Sequence, residues 1–265
     1  MAIADLGRSE ARPSAPIRSS HFDVAVAAAL MGGGNHLVHT SPSAGVLHLH
    51  GQSLSSVFGQ ASDTGPVTSP ALLRRTGGSP SWIGPTPQGL HSPDVPAGIA
   101  LQVAAGIAFA IRRTGRPGVT AVIQPSSVTA TGAWHEGLSF AAATGSPLVV
   151  IVAPELHTGR SATPDRAPPA WQAVADSYGT SLEESDPELL PVFGATRRAL
   201  HRVRSEGRPL LLIPNRDPLA PAEELARLRT AWEGVGIGAA GQPDWPAIEG
   251  EARDVVGRAA EAAGV

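Results

Sequence analysis

Between Gly118 and Pro214 the chain alternates short, wholly apolar runs with longer alanine-rich stretches. "GVTAVIQ", "PLVVIVA" and "RPLLLIP" show no polar alternation. Strands of that kind are covered on both faces, which is the habit of a parallel sheet. Parallel strands need crossover connections, and the intervening segments have helical length and period. The pattern predicts an α/β fold: a mostly parallel sheet with helices on both faces. In such sheets ligands bind beyond the carboxyl ends of the strands. That rule places residues 124–129, 154–158 and 214–217 on one rim.

The helices are read from their breakers. "SHFDVAVAAALM" stops at Gly32-Gly33-Gly34, and a second helical candidate lies within "HTSPSAGVLHLHGQSLSSVFG". "DVPAGIALQVAAGIAFAIRR" closes at Thr114-Gly115 and Pro117, and "GAWHEGLSFAAAT" at Gly145 and Pro147. "PELLPVFGATRRALHRVRSEG" supplies another helix. Residues 1–18 read as a loose arm, 19–220 as the α/β domain, and 221–265 as a helical C-terminal appendage with "GIGAAGQPDWP" as a linker. Residues 55–93 form the longest polar, Gly/Pro/Ser-rich piece, and a loop of that length is expected to be functional or mobile.

Composition narrows the chemistry. The 265 residues suffice for one large domain or two small ones, and a net charge of -3 does not recommend nucleic acid or an anionic membrane as partner. Cysteine is absent, so disulfides, thiolate nucleophiles and thiolate metal sites are all excluded. The apolar run at residues 97–111 ends in Arg112-Arg113, short of a membrane span. No leader is read at the N-terminus, and a cytoplasmic location is expected.

The candidate functional residues each have two readings. Ser126 and Ser127, at the end of the first buried strand, either donate to a phosphate or cap the next element. Glu155, His157 and Thr158 stand beyond the second, where a carboxylate either binds a hard cation or faces solvent. His135 and Glu136 are either ligand-rim residues or a locally bonded helix pair. "HLVH" and "HLH" would each present two imidazoles on one face if the first were helical and the second extended, each half of a zinc site. Arg74-Arg75-Thr76-Gly77-Gly78 is a phosphate clamp or a solvated turn. No dinucleotide, P-loop, nucleophile-elbow or zincin motif occurs.

The segment from Ser92 to Gly159, above all "WHEGLSFAAATGSPLVVIVAPEL", resembles the thiamine-diphosphate-binding fold. It is most similar to the alpha chain of the first component of 2-oxo acid dehydrogenases, and more distantly to the diphosphate-binding domain of transketolases. That family carries an Ala/Gly-rich helix, a strand ending in Gly-Asp-Gly, then "F-H-E-A-L-N-F-A-A", then a strand ending in Asn-Asn-Gly. Upstream, "AGVLHLHGQSLSSVFG" resembles its G-x-x-H-L-x-x-G-Q-E-A segment and "LLRRTGG" its L-x-G-R-x-T-G. The likeness covers about residues 20–218.

The resemblance implies thiamine diphosphate and Mg²⁺ as cofactors. It also implies 2-oxo acid decarboxylation with acyl transfer or carboligation, in a heterodimer or heterotetramer with a beta-like, pyrimidine-side chain. Carried over by position, the metal-binding aspartate falls on Ser126, flanked by Pro125 and Ser127. The metal-binding asparagine falls on Glu155, and the residue offering a carbonyl to the metal on His157. Gly98 matches a glycine near the diphosphate; His135 and Glu136 match motif residues whose part is structural. The resemblance therefore implies Gly98, Ser126, Ser127, Glu155 and His157 as the cofactor-binding set, with Ser126, Glu155 and His157 toward the metal. With Pro-Ser-Ser in place of Gly-Asp-Gly, a second outcome is a non-catalytic subunit that stabilises or regulates a beta-like partner. A third is a pocket repurposed for other chemistry.

Overall fold

The computed structural model describes residues 21–40, 42–54, 82–83, 89–93, 95–153, 170–214, 221–234 and 244–263. Its elements run α1 (His21–Leu30), β1 (His36–His39), α2 (Ala44–Leu49), β2 (Trp82–Ile83), β3 (Leu90–Pro93), α3 (Ala97–Thr114) and β4 (Thr120–Pro125). A 3-10 turn (Ser126–Ala130) leads into α4 (Gly132–Thr144) and β5 (Leu148–Ala153). There follow α5 (Trp171–Tyr178), β6 (Ser181–Ser185), α6 (Leu189–Glu206), β7 (Leu210–Pro214), α7 (Pro221–Gly234) and α8 (Trp245–Ala263).

The strands form one seven-stranded sheet in the order β2-β3-β1-β4-β5-β7-β6. Every pairing is parallel except β2 with β3 at the edge. The expected α/β architecture is therefore present, and its layering is consistent with a thiamine-diphosphate-binding-like fold. β4 and β5 pair over their full length, from Thr120 against Leu148 to Pro125 against Ala153.

Alternation along the strands divides the core between two helical layers. Leu37, Ala121, Ile123, Val149, Ile151, Leu210 and Leu212 face α1, α2 and α6. Val38, Val122, Val150, Val152 and Leu211 face α3, α4 and α5. Both faces of the central strands are closed to water, which is why their sequences lack alternation. Asn35 locks the entry to the sheet. Its amide donates to the carbonyls of Leu30 (3.1 Å) and Gly32 (3.0 Å), and its Oδ1 accepts from the Val119 N–H at 3.1 Å and from Arg204.

The region read as a long polar loop, residues 55–93, contains β2 and β3. "LHSP" carries a histidine and a proline in four buried positions, so it has no apolar run to recognise. β6, "SLEES", is an edge strand whose residues are mostly only partly buried. The C-terminal segment is helical, with residues 235–243 between its helices outside the described set. Val256 and Ala260 of α8 pack on Leu54, Arg227 of α7 lies 3.6 Å from Glu188, and Arg229 pairs with Glu249.

α3 and α4 lie against each other through Gly137. A Cβ there would sit 2.9 Å from Leu101 Cγ and 3.0 Å from the Gln102 nitrogen, where backbone cannot yield. Gly194 in α6 meets only the end of Arg198, at 3.5 Å. Gly137→Ala is expected to destabilise the fold by about 1–3 kcal/mol through overpacking. Gly194→Ala should stabilise it by up to about 1 kcal/mol through helix propensity. Urea unfolding midpoints of the two variants, moving in opposite directions, check both.

Candidate functional site

The sheet order turns back at β1: the chain crosses to β3 on one side and then to β4 on the other. The crevice between the carboxyl ends of β1 and β4 is the switch point at which such sheets hold ligands. β4 delivers Gln124, Pro125 and Ser126 there, and the first turns of α3 and α4 begin beside them.

The junction after β4 is closed by its own hydroxyl groups. Thr129 donates to the Ser126 carbonyl at 2.7 Å, and Thr131 donates to the Val128 carbonyl at 2.7 Å. Thr131 is also the N-cap of α4, its Oγ1 accepting from the Trp134 N–H at 3.4 Å. Gly98 is buried against this cap. A Cβ on it would lie 2.6 Å from Thr131 Oγ1 and 3.8 Å from the Ala133 methyl. The space that a glycine leaves beside the first turn of α3 is thus filled by the chain itself.

Of the residues carried over from the resemblance, the structure brings Gly98, Ser126 and Ser127 to this junction. Ser126 is half-buried and Ser127 exposed. Glu155 and His157 lie outside the described residues, as do Thr158 and the Arg74-Arg75 segment. His135 donates to or accepts from the Tyr178 hydroxyl at 2.8 Å through Nδ1, with the rings stacked at 6.0 Å between centroids. It links α4 to α5, while Glu136 is exposed. Trp134 beside it is fully buried, and among the described residues no acceptor reaches its Nε1.

The paired-histidine reading is overturned. "HLVH" is strand β1, so His36 and His39 point to opposite faces. His48 lies in helix α2 and His50 at its C-cap, where their ring nitrogens meet the carbonyls of Gln52 (3.2 Å) and Val46 (2.9 Å). Among the described residues no group of three metal-binding side chains occurs. His39 instead lies 3.4 Å from the Asp23 carboxylate, both buried, and ties β1 to α1. His36 Nδ1 meets His91 Nε2 at 2.9 Å across β1 and β3. Sequence reasoning did not pair those two, because β3 was not recognisable.

A cavity of about 680 Å³ lies at the opposite end of the sheet, among the carboxyl ends of α4, α5 and α6. Two of its arginines are already engaged there: Arg112 donates to the Gly145 carbonyl and Arg204 to Asn35. It is a polar recess between capped helix ends, remote from the switch point.

No family model and no curated protein matches the sequence. Among solved structures, the chain is similar to a benzoylformate decarboxylase from Polynucleobacter necessarius, with 14% identity and a TM-score of 0.46. That alignment covers 80% of this chain and 36% of the decarboxylase. It is also similar to the transketolase from Leishmania mexicana, with 17% identity and a TM-score of 0.48 over 76% of this chain and 30% of that one. The chain thus spans about a third of the length of either.

Among the described residues, the donors at the junction do not fit a magnesium-held diphosphate. A hard dication takes carboxylate and carbonyl oxygens, and Ser126 offers a neutral hydroxyl while its carbonyl is engaged by Thr129. Pro125 has no N–H to offer a phosphate.

The His36–His91 couple gives a measurable signature. Burial and the neighbouring His36 lower the His91 pKa from 6.5 to about 4; burial and the Arg116 charge lower that of His36. Near neutral pH the His91 imidazole carries no proton in the fold, and that of His36 is harder to protonate than in the unfolded chain, which binds protons below about pH 6.5. Their contribution to stability is complete above that pH and is lost as pH falls toward 4, on the order of 3 kcal/mol for His91. Unfolding free energy measured from pH 7.5 to 4 should show this acid limb, and His91→Gln should flatten it.

Proposed function

We propose that this chain is a subunit of a two-chain assembly of the thiamine-diphosphate-binding fold. It supplies the diphosphate-side domain to a beta-like, pyrimidine-side partner, with its own cofactor junction converted from metal binding to structural closure. The observation that supports this most is the junction Thr120–Thr144. Strand, turn and helix stand in the order the resemblance implies, yet the turn bonds to itself and Thr131 fills the space at Gly98. A binding slot for a dianionic group would leave amides and hydroxyls without internal partners. Here the hydroxyls of Thr129 and Thr131 are spent within the turn.

A second reading is favoured by the start of α3 at the switch point, where Pro96 provides no side-chain cap and the first amides and the helix dipole attract anions. In that reading the chain is the catalytic alpha-like subunit, and Glu155 supplies the charge that Ser126 lacks. Thiamine diphosphate would then bring the carbanion-stabilising chemistry of 2-oxo acid decarboxylation.

Titration calorimetry separates the two. Thiamine diphosphate with Mg²⁺ is titrated into the chain alone and into its mixture with a beta-like, pyrimidine-side protein. The proposal expects a stable heteromer and no Mg²⁺-dependent cofactor binding that requires this chain's Glu155. Binding abolished by Glu155→Ala would establish the catalytic subunit instead. A chain that takes neither the cofactor nor the partner would remove both readings.

A further inference from the structure

The outer surface of α3 and α4 faces away from the sheet and is almost free of charge. Ile99 is 36% exposed and Phe140 44% exposed. Between them Gly106, Ala110 and Ala143 are also exposed, and Gly106 has no atom within 4 Å of where its Cβ would be. Phe109 packs edge-on against Phe140, with centroids 5.5 Å apart, and bridges the seam between the helices. Residues 99, 103, 106, 110 and 113 recur at helical spacing, so they form one stripe along α3.

The charges bounding this face are of opposite sign and at opposite ends. Glu136 lies in the first turns of α4, level with Leu101 and Gln102, because its neighbour Gly137 packs on those residues. Arg113 lies in the last turn of α3, about 18 Å further along at the helical rise. Both are exposed, and neither has an ion pair among the described residues.

We infer that this face is the contact between two copies of this chain, related by a two-fold axis near Gly106. A two-fold contact juxtaposes the same patch from both copies, and an axis across the helices runs the two pairs antiparallel. Each Glu136 then meets the Arg113 of the other copy at both ends of an apolar centre of Phe109, Phe140 and Gly106. An acid at one end of a smooth apolar strip and exposed bases at the other, Arg113 with Arg112 beside it on the Gly145 carbonyl, satisfy that geometry; a face evolved for solvent would intersperse its charges. The glycine and alanines allow the helices of the two copies to approach closely. The inference concerns the chain by itself and stands apart from the beta-like partner.

Sedimentation velocity on the chain, without cofactor or partner, tests it. The wild-type chain is expected to dimerise, and Phe140→Asp to be monomeric with its circular dichroism unchanged. Glu136→Arg and Arg113→Glu should each raise the dimer dissociation constant about tenfold or more by placing like charges together. An equimolar mixture of those two variants should recover the dimer, since each copy then offers the other both opposite charges. A chain monomeric at every concentration would overturn the inference. So would a dimer that tolerates Phe140→Asp, or a mixture that fails to recover. A chain that is monomeric alone and buries Phe140 only with the beta-like protein would assign the face to that partner. Loss of partner binding with the dimer intact would strike the proposed function alone.

Discussion

The close approach of α3 to α4 is the constraint on which the rest of the structure depends. Gly137 brings the second helix onto the backbone of Leu101 and Gln102, and Gly98 brings the first helix onto the Thr131 cap. With the helices at that distance, Trp134, Leu138, Ala104 and Ala108 close over Val122 and Val150 and dry one face of the central strands. The same approach leaves no gap between the two helix starts at the switch point. It also leaves the outer surfaces of both helices level with each other, so that Phe109 and Phe140 meet across the seam. One packing distance thus sets the core, the closed junction and the flat outer face together.

The sequence revealed those parts of the fold that burial on two sides makes conspicuous. β4, β5 and β7 are central or nearly so, and a strand with no wet face must be a continuous apolar run. The helices on either side were legible from their glycine stops, and Gly115, Gly145 and Gly207 do end them in the left-handed conformation. β1, β3 and β6 were not legible, for separate reasons. β1 and β3 are four residues long and carry histidines that meet other side chains across the sheet, which a linear reading cannot see. β6 lies at an edge, where two adjacent glutamates meet no penalty and one of them, Glu183, pairs with Arg198 at 2.7 Å. The edge position of a strand is a property of the whole topology and leaves little trace in its own letters.

The candidate site divides in the same way. Its frame, strand then turn then helix, was readable because "VIQPSSVTATGAWHEG" fixes the order of elements. The absence of a carboxylate at Ser126 was readable too. What replaced the ligand was not. Thr129 and Thr131 look like ordinary turn residues until their hydroxyls are seen bonding back to Ser126 and Val128, and until Thr131 is seen filling the space at Gly98. The histidines show the cost of assigning faces before elements. Exchanging strand and helix between "HLVH" and the His48–His50 pair reversed which imidazoles share a side and dissolved both half-sites.

The two ends of the sheet satisfy their polar groups by different means, and the difference bears on where this chain can act. At the amino end, glycine caps close the helices, Arg112 donates to the Gly145 carbonyl, and Arg204 donates to the side-chain oxygen of Asn35. Those contacts hold two of the long side chains that line the recess in place. At the carboxyl end, short threonine side chains do the work within a single turn, which binds the junction to itself and to α3 without reaching out. The sides of the helices carry a different kind of surface. There the exposed aromatic of α4, the open glycine of α3 and the separated charges Glu136 and Arg113 are found. They are what an association with protein would use, as the proposed contact between copies does.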